Sequence, residues 1–383
     1  MRRVFQVGVI GLGFIGPVHI EALRRLGNVQ VVAVSDVVGA GEKAEELNID
    51  HAYEDWRDLL NHEGLDCVHI CTPNNTHYPI AKAAIERELH VLCEKPLAMT
   101  AAEAAELVAL AEEKKVGNAI GLNVRFYPLI HQARSMVEAG ELGRIFSVGG
   151  YYQQDWLLLD TDWSWRLLPE FSGESRAVAD IGPHWFDSVE FITRKRVKQV
   201  CADFATFHEL RRRPLKPVAT YSGMALRPED YREESIRTED YASVLLRFEE
   251  GVHGSLTVNQ CAAGYRNQMY IGICGEKASL AFNSERPEEL WIGRRGRPNM
   301  VMPRDPSLMD EFSAGLTNHP GGHNEGFPDT TKQLFKKFYA YLEQGGPQSG
   351  APVEFPQFTD GRRDMDICSA VALSARESRW VTV

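Results

Sequence analysis

The stretch that most constrains this chain is Gly11-Leu12-Gly13-Phe14-Ile15-Gly16, a G-x-G-x-x-G run placed directly after the apolar segment Val4 to Ile10. An apolar run of that length reads as a buried strand, and the glycine run reads as a turn into a helix. Gly11 permits the tight turn, Gly13 lets the backbone approach a pyrophosphate, and Gly16 lets the helix pack closely on the strand. Pro17 suits a first helical position, and the amides opening that helix, around Phe14 and Ile15, would receive the anion. The helix closes at Gly27. Val29 to Ser35 then supplies a second strand that ends at Asp36, about 20 residues after Gly16, where a carboxylate accepts from ribose hydroxyls. Val37 and Val38 come next rather than Arg or Lys, so NAD is expected and NADP disfavoured.

Strand-helix alternation continues. An amphipathic segment lies near Asp55 to Leu60, a strand spans Asp66 to Cys71, and the polar loop Thr72-Pro73-Asn74-Asn75-Thr76-His77 comes next. That loop is either a plain turn built from Pro and Asn or a contact to the nicotinamide side of the cofactor, with Thr72, Pro73, Asn74 and His77 as its candidates. A helix from Tyr78 to Arg87 leads to the strand Leu89 to Cys93, which stops at Glu94-Lys95-Pro96. Carboxyl ends of parallel strands face the ligand crevice, so Lys95 is delivered there by a rigid element; the alternative is an ordinary charged turn. Thr100-Ala101-Ala102-Glu103 is a capping box that opens an Ala-rich helix to about Lys115, and Gly117 to Leu122 is the last strand of a Rossmann domain over residues 1–122.

After Asn123-Val124-Arg125-Phe126 and a helix to about Ala139, alternation gives way to a run of strands, which places residues 123–383 in a second α/β domain. Its strands are expected at Ile145 to Tyr152, Gln199 to Phe207, Tyr241 to Phe248, Gly254 to Cys261, Gln268 to Cys274 and Ala278 to Phe282. In Tyr241 to Phe248, Ala242, Val244, Leu246 and Phe248 share one face. Residues 209–238, rich in Arg, Pro and Glu, read as a solvated excursion. Residues 153–173 hold Trp156, Trp163, Trp165, Asp155 and Arg166, aromatic rings that either pin the loop to the core or stack on a ligand. Spacing of four and then three residues puts Asp180, His184 and Asp187 on one helical face, with Pro183 starting or kinking the helix. A histidine flanked by carboxylates is either a tuned base or a structural ion pair.

A net charge of −11 without a basic run argues against nucleic acid and anionic membranes as partners. The seven cysteines form no C-x-x-C pair and no zinc pattern, which reads as reduced thiols in a cytoplasm and no metal. Met1-Arg2-Arg3 ahead of an apolar run resembles an export signal, but that run is needed as the nucleotide strand, and no segment reaches the roughly 20 apolar residues of a membrane span.

Gly11 to Gly16 with Asp36, Glu94-Lys95-Pro96, Asn123-Val124-Arg125-Phe126 and Asp180-x-Gly-x-His184-x-x-Asp187, in that order, resemble the glucose-fructose oxidoreductase/inositol dehydrogenase/rhizopine catabolism (Gfo/Idh/MocA) family. The resemblance implies an N-terminal Rossmann domain and a C-terminal α/β domain with a large open, mainly antiparallel sheet that makes a homodimer or homotetramer. It implies Lys95, Asp180 and His184 as the catalytic set, with Glu94, Lys95 and Asn123 joining the cofactor contacts. Ser147 to Asp155, Ser164-Trp165-Arg166 and Gly321-Gly322-His323 resemble members that oxidise sugars or anhydrosugars, which makes Arg125, Tyr152, Trp165, Arg166 and His323 substrate candidates beside Asp180 and His184. One departure is Ser172-Gly173-Glu174 where many members carry three glycines, and it bears on the substrate more than on the reaction. The expected activity is NAD-dependent oxidation of a secondary hydroxyl on a sugar, anhydrosugar or cyclic polyol. Its rivals are an NAD-assisted glycosidase or epimerase on the same fold, and a sugar or NAD sensor without chemistry.

Overall fold

The structure, a computed structural model, describes residues 3–216 and 228–383; residues 1–2 and 217–227, the latter inside the 209–238 stretch, lie outside the described part. The chain forms two compact units, one of residues up to Asn123 with Pro328–Met365, the other of Val124–Phe327 with Asp366–Val383.

The first unit contains β1 (Phe5–Ile10), α1 (Ile15–Arg24), β2 (Val29–Ser35), α2 (Ala40–Glu46), β3 (His51–Tyr53), α3 (Trp56–Leu59), β4 (Cys67–Ile70), α4 (His77–Glu86), β5 (His90–Cys93), α5 (Ala101–Lys114) and β6 (Asn118–Ile120). Its six strands pair in the order β3-β2-β1-β4-β5-β6, every pair parallel. This is the Rossmann order, and it explains why β4 is buried along its whole length: helices cover both faces of such a sheet. Strand order reverses at β1, so the loops after β1, β2, β4 and β5 carry Gly11, Asp36, Thr72 and Lys95 to the same edge. Gly11 sits at φ +92°, and a Cβ there would lie 2.7 Å from the Cys71 carbonyl group, so both backbone conformation and space demand glycine. The capping box is present: the Glu103 amide donates to Thr100 Oγ1 (3.2 Å), and the Thr100 amide donates to Glu103 Oε2 (3.1 Å).

The second unit begins with α6 (Pro128–Glu138), β7 (Ile145–Gln153), α7 (Pro169–Ser172) and α8 (Ala177–Thr193). The strands β8 (Val197–Ala205), β9 (Leu210–Pro214), β10 (Tyr231–Ser235), β11 (Tyr241–Phe248), β12 (His253–Asn259), β13 (Gln268–Gly275), β14 (Ser279–Asn283), β15 (Glu289–Gly293) and β16 (Met300–Pro303) come after them. Among the described residues a nine-stranded sheet runs β16-β15-β14-β13-β7-β12-β11-β8-β17, where β17 is Val381–Thr382, and in it only β12 with β7 is parallel. A large, mainly antiparallel sheet is therefore what forms. Ala242, Val244, Leu246 and Phe248 all point into its core, as the alternation predicts. Pro183 neither starts nor ends α8 but lies inside it, seven positions into a helix of 17 residues. Trp185 anchors that helix to the sheet through a hydrogen bond from Nε1 to the Tyr270 carbonyl (3.0 Å), a contact that leaves no room for a Cβ at Gly150. The chain closes with α9 (Glu311–Ala314), α10 (Phe327–Glu343), α11 (Phe358–Glu377) and β17, and Pro328–Met365 packs with the first unit.

The described parts of residues 209–238 are mostly exposed, as expected of a solvated excursion, but composition did not show that they pair: β9 and β10 form an antiparallel hairpin. Arg211 is an exception to the exposure, buried against Asp240, which is remote in sequence and neutralises its guanidinium. Among the described residues, no helix is long and apolar enough to cross a membrane, and no group of three or more His, Cys, Asp or Glu side chains could hold a metal ion.

Candidate active site

On the cofactor side, Asp36 is pinned at the end of β2. Its Oδ2 accepts from the Leu12 amide (2.8 Å) and from Lys43 Nζ (2.9 Å), and its Oδ1 from the Val38 amide (3.1 Å). Lys43 was missed from the sequence because it lies seven residues on, in α2, and a turn through Gly39 at φ +65° brings it back. Phe14, Val37 and Val38 stand exposed around this loop. A Cβ on Gly16 would collide with the Gly11 carbonyl, whereas one on Gly13 would meet no atom within 4 Å. Gly13 thus leaves the turn open to close approach, and the helix-opening amides, this open turn and the acid at the end of β2 fit a dinucleotide.

The lysine-bearing turn is anchored from below. Lys95 follows β5 across a cis bond to Pro96, and Glu94 accepts from the Lys95 amide at Oε2 (3.3 Å). A Cβ on Gly121 would lie 2.8 Å from Cδ of Glu94, so the neighbouring residue is a glycine that lets this carboxylate in. His77 is buried, with Nδ1 at the Pro96 carbonyl (2.6 Å) and Nε2 at the Thr72 carbonyl (2.8 Å); it ties together the loops after β4 and β5. Thr76 bonds Thr72 Oγ1 and the Pro73 carbonyl, both at 2.7 Å, and Asn74 is buried in the same turn. Asn123 donates to the hydroxyls of Thr330 (2.8 Å) and Thr331 (3.1 Å).

Beneath Glu94 runs a buried polar chain that spacing did not reveal. Glu94 Oε1 lies 3.0 Å from His19 Nε2, His19 Nδ1 lies 3.0 Å from His69 Nδ1, and His69 Nε2 lies 2.9 Å from the Tyr339 hydroxyl. With both rings neutral, one donor direction satisfies every link: Tyr339 to His69, His69 to His19, and His19 to Glu94. Burial, and the neighbouring His19, hold His69 well below its ordinary pKa of 6.5. A buried histidine kept neutral costs stability once the unfolded chain can take up a proton, so its penalty is absent above pH 6.5 and grows as pH falls below it. The melting temperature is expected to drop between pH 7 and 5, with a limit of about 1.4 kcal/mol per pH unit for one proton. His69→Gln should flatten that slope in part, since His77 is also held low by burial; an unchanged slope in melts of the folded variant would contradict the assignment.

On the other unit, α8 presents Asp180, His184 and Asp187, and each carboxylate has an arginine that the spacing alone did not show. Asp180 accepts from Arg166 Nε at Oδ1 (3.1 Å) and from Gln260 Nε2 at Oδ2 (2.8 Å). Asp187 accepts from Arg125, from Nε at 2.9 Å and from Nη2 as well, a buried fork that joins the segment before α6 to the helix. His184 is 8% exposed and its ring centre lies 6.4 Å from that of Tyr152, whose hydroxyl donates to Asn267 Oδ1 (2.9 Å). Gln154 donates to the same oxygen (2.7 Å) and accepts from Trp156 Nε1 (2.8 Å). The Arg166 guanidinium lies 4.4 Å over the Trp165 ring. His323 is exposed on a separate loop, held through its carbonyl by the buried Arg304. Gly173 keeps φ +94° despite the departure from three glycines. Gln260, Gln154 and Asn267 were missed because isolated amides carry no pattern of spacing.

Residues 5–121 match the Gfo/Idh/MocA oxidoreductase family, NAD-binding Rossmann fold, and residues 130–281 match a Gfo/Idh/MocA C-terminal domain. Levoglucosan dehydrogenase of Pseudarthrobacter phenanthrenivorans is 29% identical over 99% of this chain and 98% of its own. A solved levoglucosan dehydrogenase in complex with NADH and L-sorbose superposes with a TM-score of 0.88 at 27% identity, covering 100% of this chain and 99% of that one. An inositol dehydrogenase homolog complexed with NAD+ from Azotobacter vinelandii gives 0.87 at 25% identity, covering 100% and 98%. The first unit thus carries an NAD-binding Rossmann fold, and with both domains matched in order along one chain, this protein belongs to the Gfo/Idh/MocA family of oxidoreductases.

Proposed function

We propose that this chain is an NAD-dependent dehydrogenase that oxidises a secondary hydroxyl of a sugar, anhydrosugar or cyclic polyol. The observation that carries the reading is α8, where Asp180 is held by Arg166 and Gln260 one turn from a nearly buried His184. The levoglucosan and inositol dehydrogenases among its relatives support the substrate class. Bound NAD supplies the hydride acceptor, held by Gly11, Gly13, Gly16, Asp36 and the loops of Thr72 and Glu94. His184 takes the hydroxyl proton, because an imidazole suits a base at neutral pH. Lys95 holds the reacting oxygen and offsets the charge that develops on it. Asp180 orients one of these two partners and tunes its proton affinity, and Trp165, Arg166, Tyr152 and His323 receive ring and hydroxyls.

The test is a screen of levoglucosan, myo-inositol and monosaccharides with NAD, read as net NADH formed. Net release separates a dehydrogenase from an epimerase or glycosidase that recycles its cofactor, and a sensor would form none. Arg166→Ala should raise KM or lower kcat on the sugar while leaving NAD affinity alone. Turnover of carboxylate-bearing substrates only would instead make Arg166 a carboxylate clamp.

Preference for NAD over NADP follows from Asp36. Two unit charges about 4 Å apart at an effective dielectric near 20 interact by roughly 4 kcal/mol before screening, and even a fraction of that repulsion exceeds a tenfold preference. Asp36→Ser should narrow the preference, the more so because it releases Lys43 to face a 2′-phosphate. Equal binding of both cofactors by the unaltered chain, measured by titration, would remove the assignment.

The same reading makes the second unit's sheet the surface of a homodimer or homotetramer. Register places Leu245, Ser255, Gly149, Gly272, Ala281 and Trp291 in one row across it, with Leu245 and Trp291 exposed.

A further inference from the structure

We infer that Gln260 is a positioning residue for Asp180, and that the buried cluster of Arg176, Asp240 and Arg211 dictates which end of its amide does the work; this rests on the role of Asp180 proposed above. Gln260 follows β12 and is fully buried. Its Oε1 accepts from Arg176 Nη1 (2.8 Å), and its Nε2 donates to Asp180 Oδ2 (2.8 Å), with Gln154 Oε1 at 3.4 Å as the second acceptor. A guanidinium has donors and no acceptor. The atom facing Arg176 must therefore be the amide oxygen, and the NH2 group is turned to Asp180 by elimination. With Arg166 on Oδ1, both oxygens of Asp180 meet donors.

Arg176 is fixed in turn. It is ion-paired to Asp240 through Nη2 and donates from Nε to Thr238 Oγ1 (3.3 Å). Asp240 also accepts from Arg211 Nη2 (2.8 Å) and from the amides of Phe207 (2.7 Å) and His208 (3.2 Å). Glu239, beside it, accepts from Ser175 Oγ (2.7 Å) and from the amides of Arg176 (3.0 Å) and Val178 (2.9 Å), where α8 begins. Thr238 donates to the Leu167 carbonyl (3.2 Å), and Arg211 reaches the carbonyls of Leu157 (3.0 Å) and Leu159 (2.8 Å). Three consecutive buried residues, Thr238, Glu239 and Asp240, thus hold the start of α8 and the tryptophan-rich loop against each other, and Gln260 passes that order on to Asp180.

Gln260→Glu tests this. It keeps size and an acceptor for Arg176, but turns a carboxylate oxygen toward Asp180 Oδ2 where a donor stood, and two such groups share a proton rather than both ionise. Among the groups facing Asp180 are Arg166 from the loop before α7 and Gln260 from the end of β12; Arg176 stands behind Gln260, and His184 is one turn on along α8. Assayed with NAD and levoglucosan or myo-inositol, whichever the unaltered chain oxidises, Gln260→Glu should lose about tenfold or more in kcat at pH 7 with NAD affinity unchanged. The acid limb of its kcat profile should move up by about one pH unit or more, a tenfold change in the ionised fraction. A purely structural residue would lower the melting temperature without moving that limb. Wild-type kcat and an unmoved limb in the folded variant overturn the inference. Should Gln260→Glu not fold, Gln260→Met, which also removes the donor, is judged by the same two readouts. Asp180→Asn is run in parallel: full turnover there removes the proposed role of Asp180 itself, whereas loss there with wild-type turnover in Gln260→Glu removes only the part given to Gln260.

Discussion

Turnover of the NAD-saturated protein is expected to fall about 10²–10⁴-fold in Lys95→Ala and in His184→Ala, the range for loss of a positioned acid-base group. The cofactor should stay bound in both, because the contacts proposed for it at Gly11, Gly13, Gly16 and Asp36 lie in other loops. Lys95 stands at the end of β5 on a turn tied down by Glu94 and, through the carbonyl of Pro96, by His77, so removing its side chain leaves that turn supported. The double variant should fall well short of the product of the two losses, since groups acting on one proton transfer are not additive. NAD titration and thermal melts beside each rate separate chemistry from misfolding. Near-wild-type kcat in folded, NAD-saturated Lys95→Ala would return Glu94-Lys95-Pro96 to a charged turn.

The largest loss of stability is expected from Asp240→Ala. Arg176 and Arg211 are completely buried, and without Asp240 two guanidinium groups lose the carboxylate that pairs with both. Breaking a buried pair by removing one partner costs about 3–5 kcal/mol, which urea-denaturation midpoints would show directly. Asp240→Asn keeps the shape and should lose most of the same amount, because charge rather than volume is what goes missing. A loss below about 1 kcal/mol in both variants would mean that this cluster is no tighter than a surface ion pair. The acid side gives the same answer independently. Burial works to raise the Asp240 carboxyl, but Arg176 and Arg211 outweigh it and hold it below the ordinary 3.8. A carboxylate held down stabilises fully above its unfolded value, and that contribution is lost as pH falls below 3.8 and through the lower native value. Acid unfolding of the unaltered chain should therefore carry a component in that window that Asp240→Ala lacks.

Where local rules decide, residues were enough. The turn at Gly11 to Gly16, the Thr100 capping box and the alternation from Tyr241 to Phe248 each depend on sterics or periodicity within a few residues, and each formed as expected. The six-stranded parallel order also follows from strand-helix alternation, because short right-handed crossovers leave few topologies. Tertiary structure alone decided what depends on partners far apart in the chain. β12 lies parallel to β7, more than a hundred residues before it, and Pro328–Met365 returns to the first unit so that Tyr339 meets His69. Short edge strands such as β3 and β17 are too brief to show a period. The arginines of Asp180 and Asp187, the lysine of Asp36 and the amide of Gln260 share this character: a single polar side chain has no spacing to betray it, and only burial forces it to find the one partner that satisfies it.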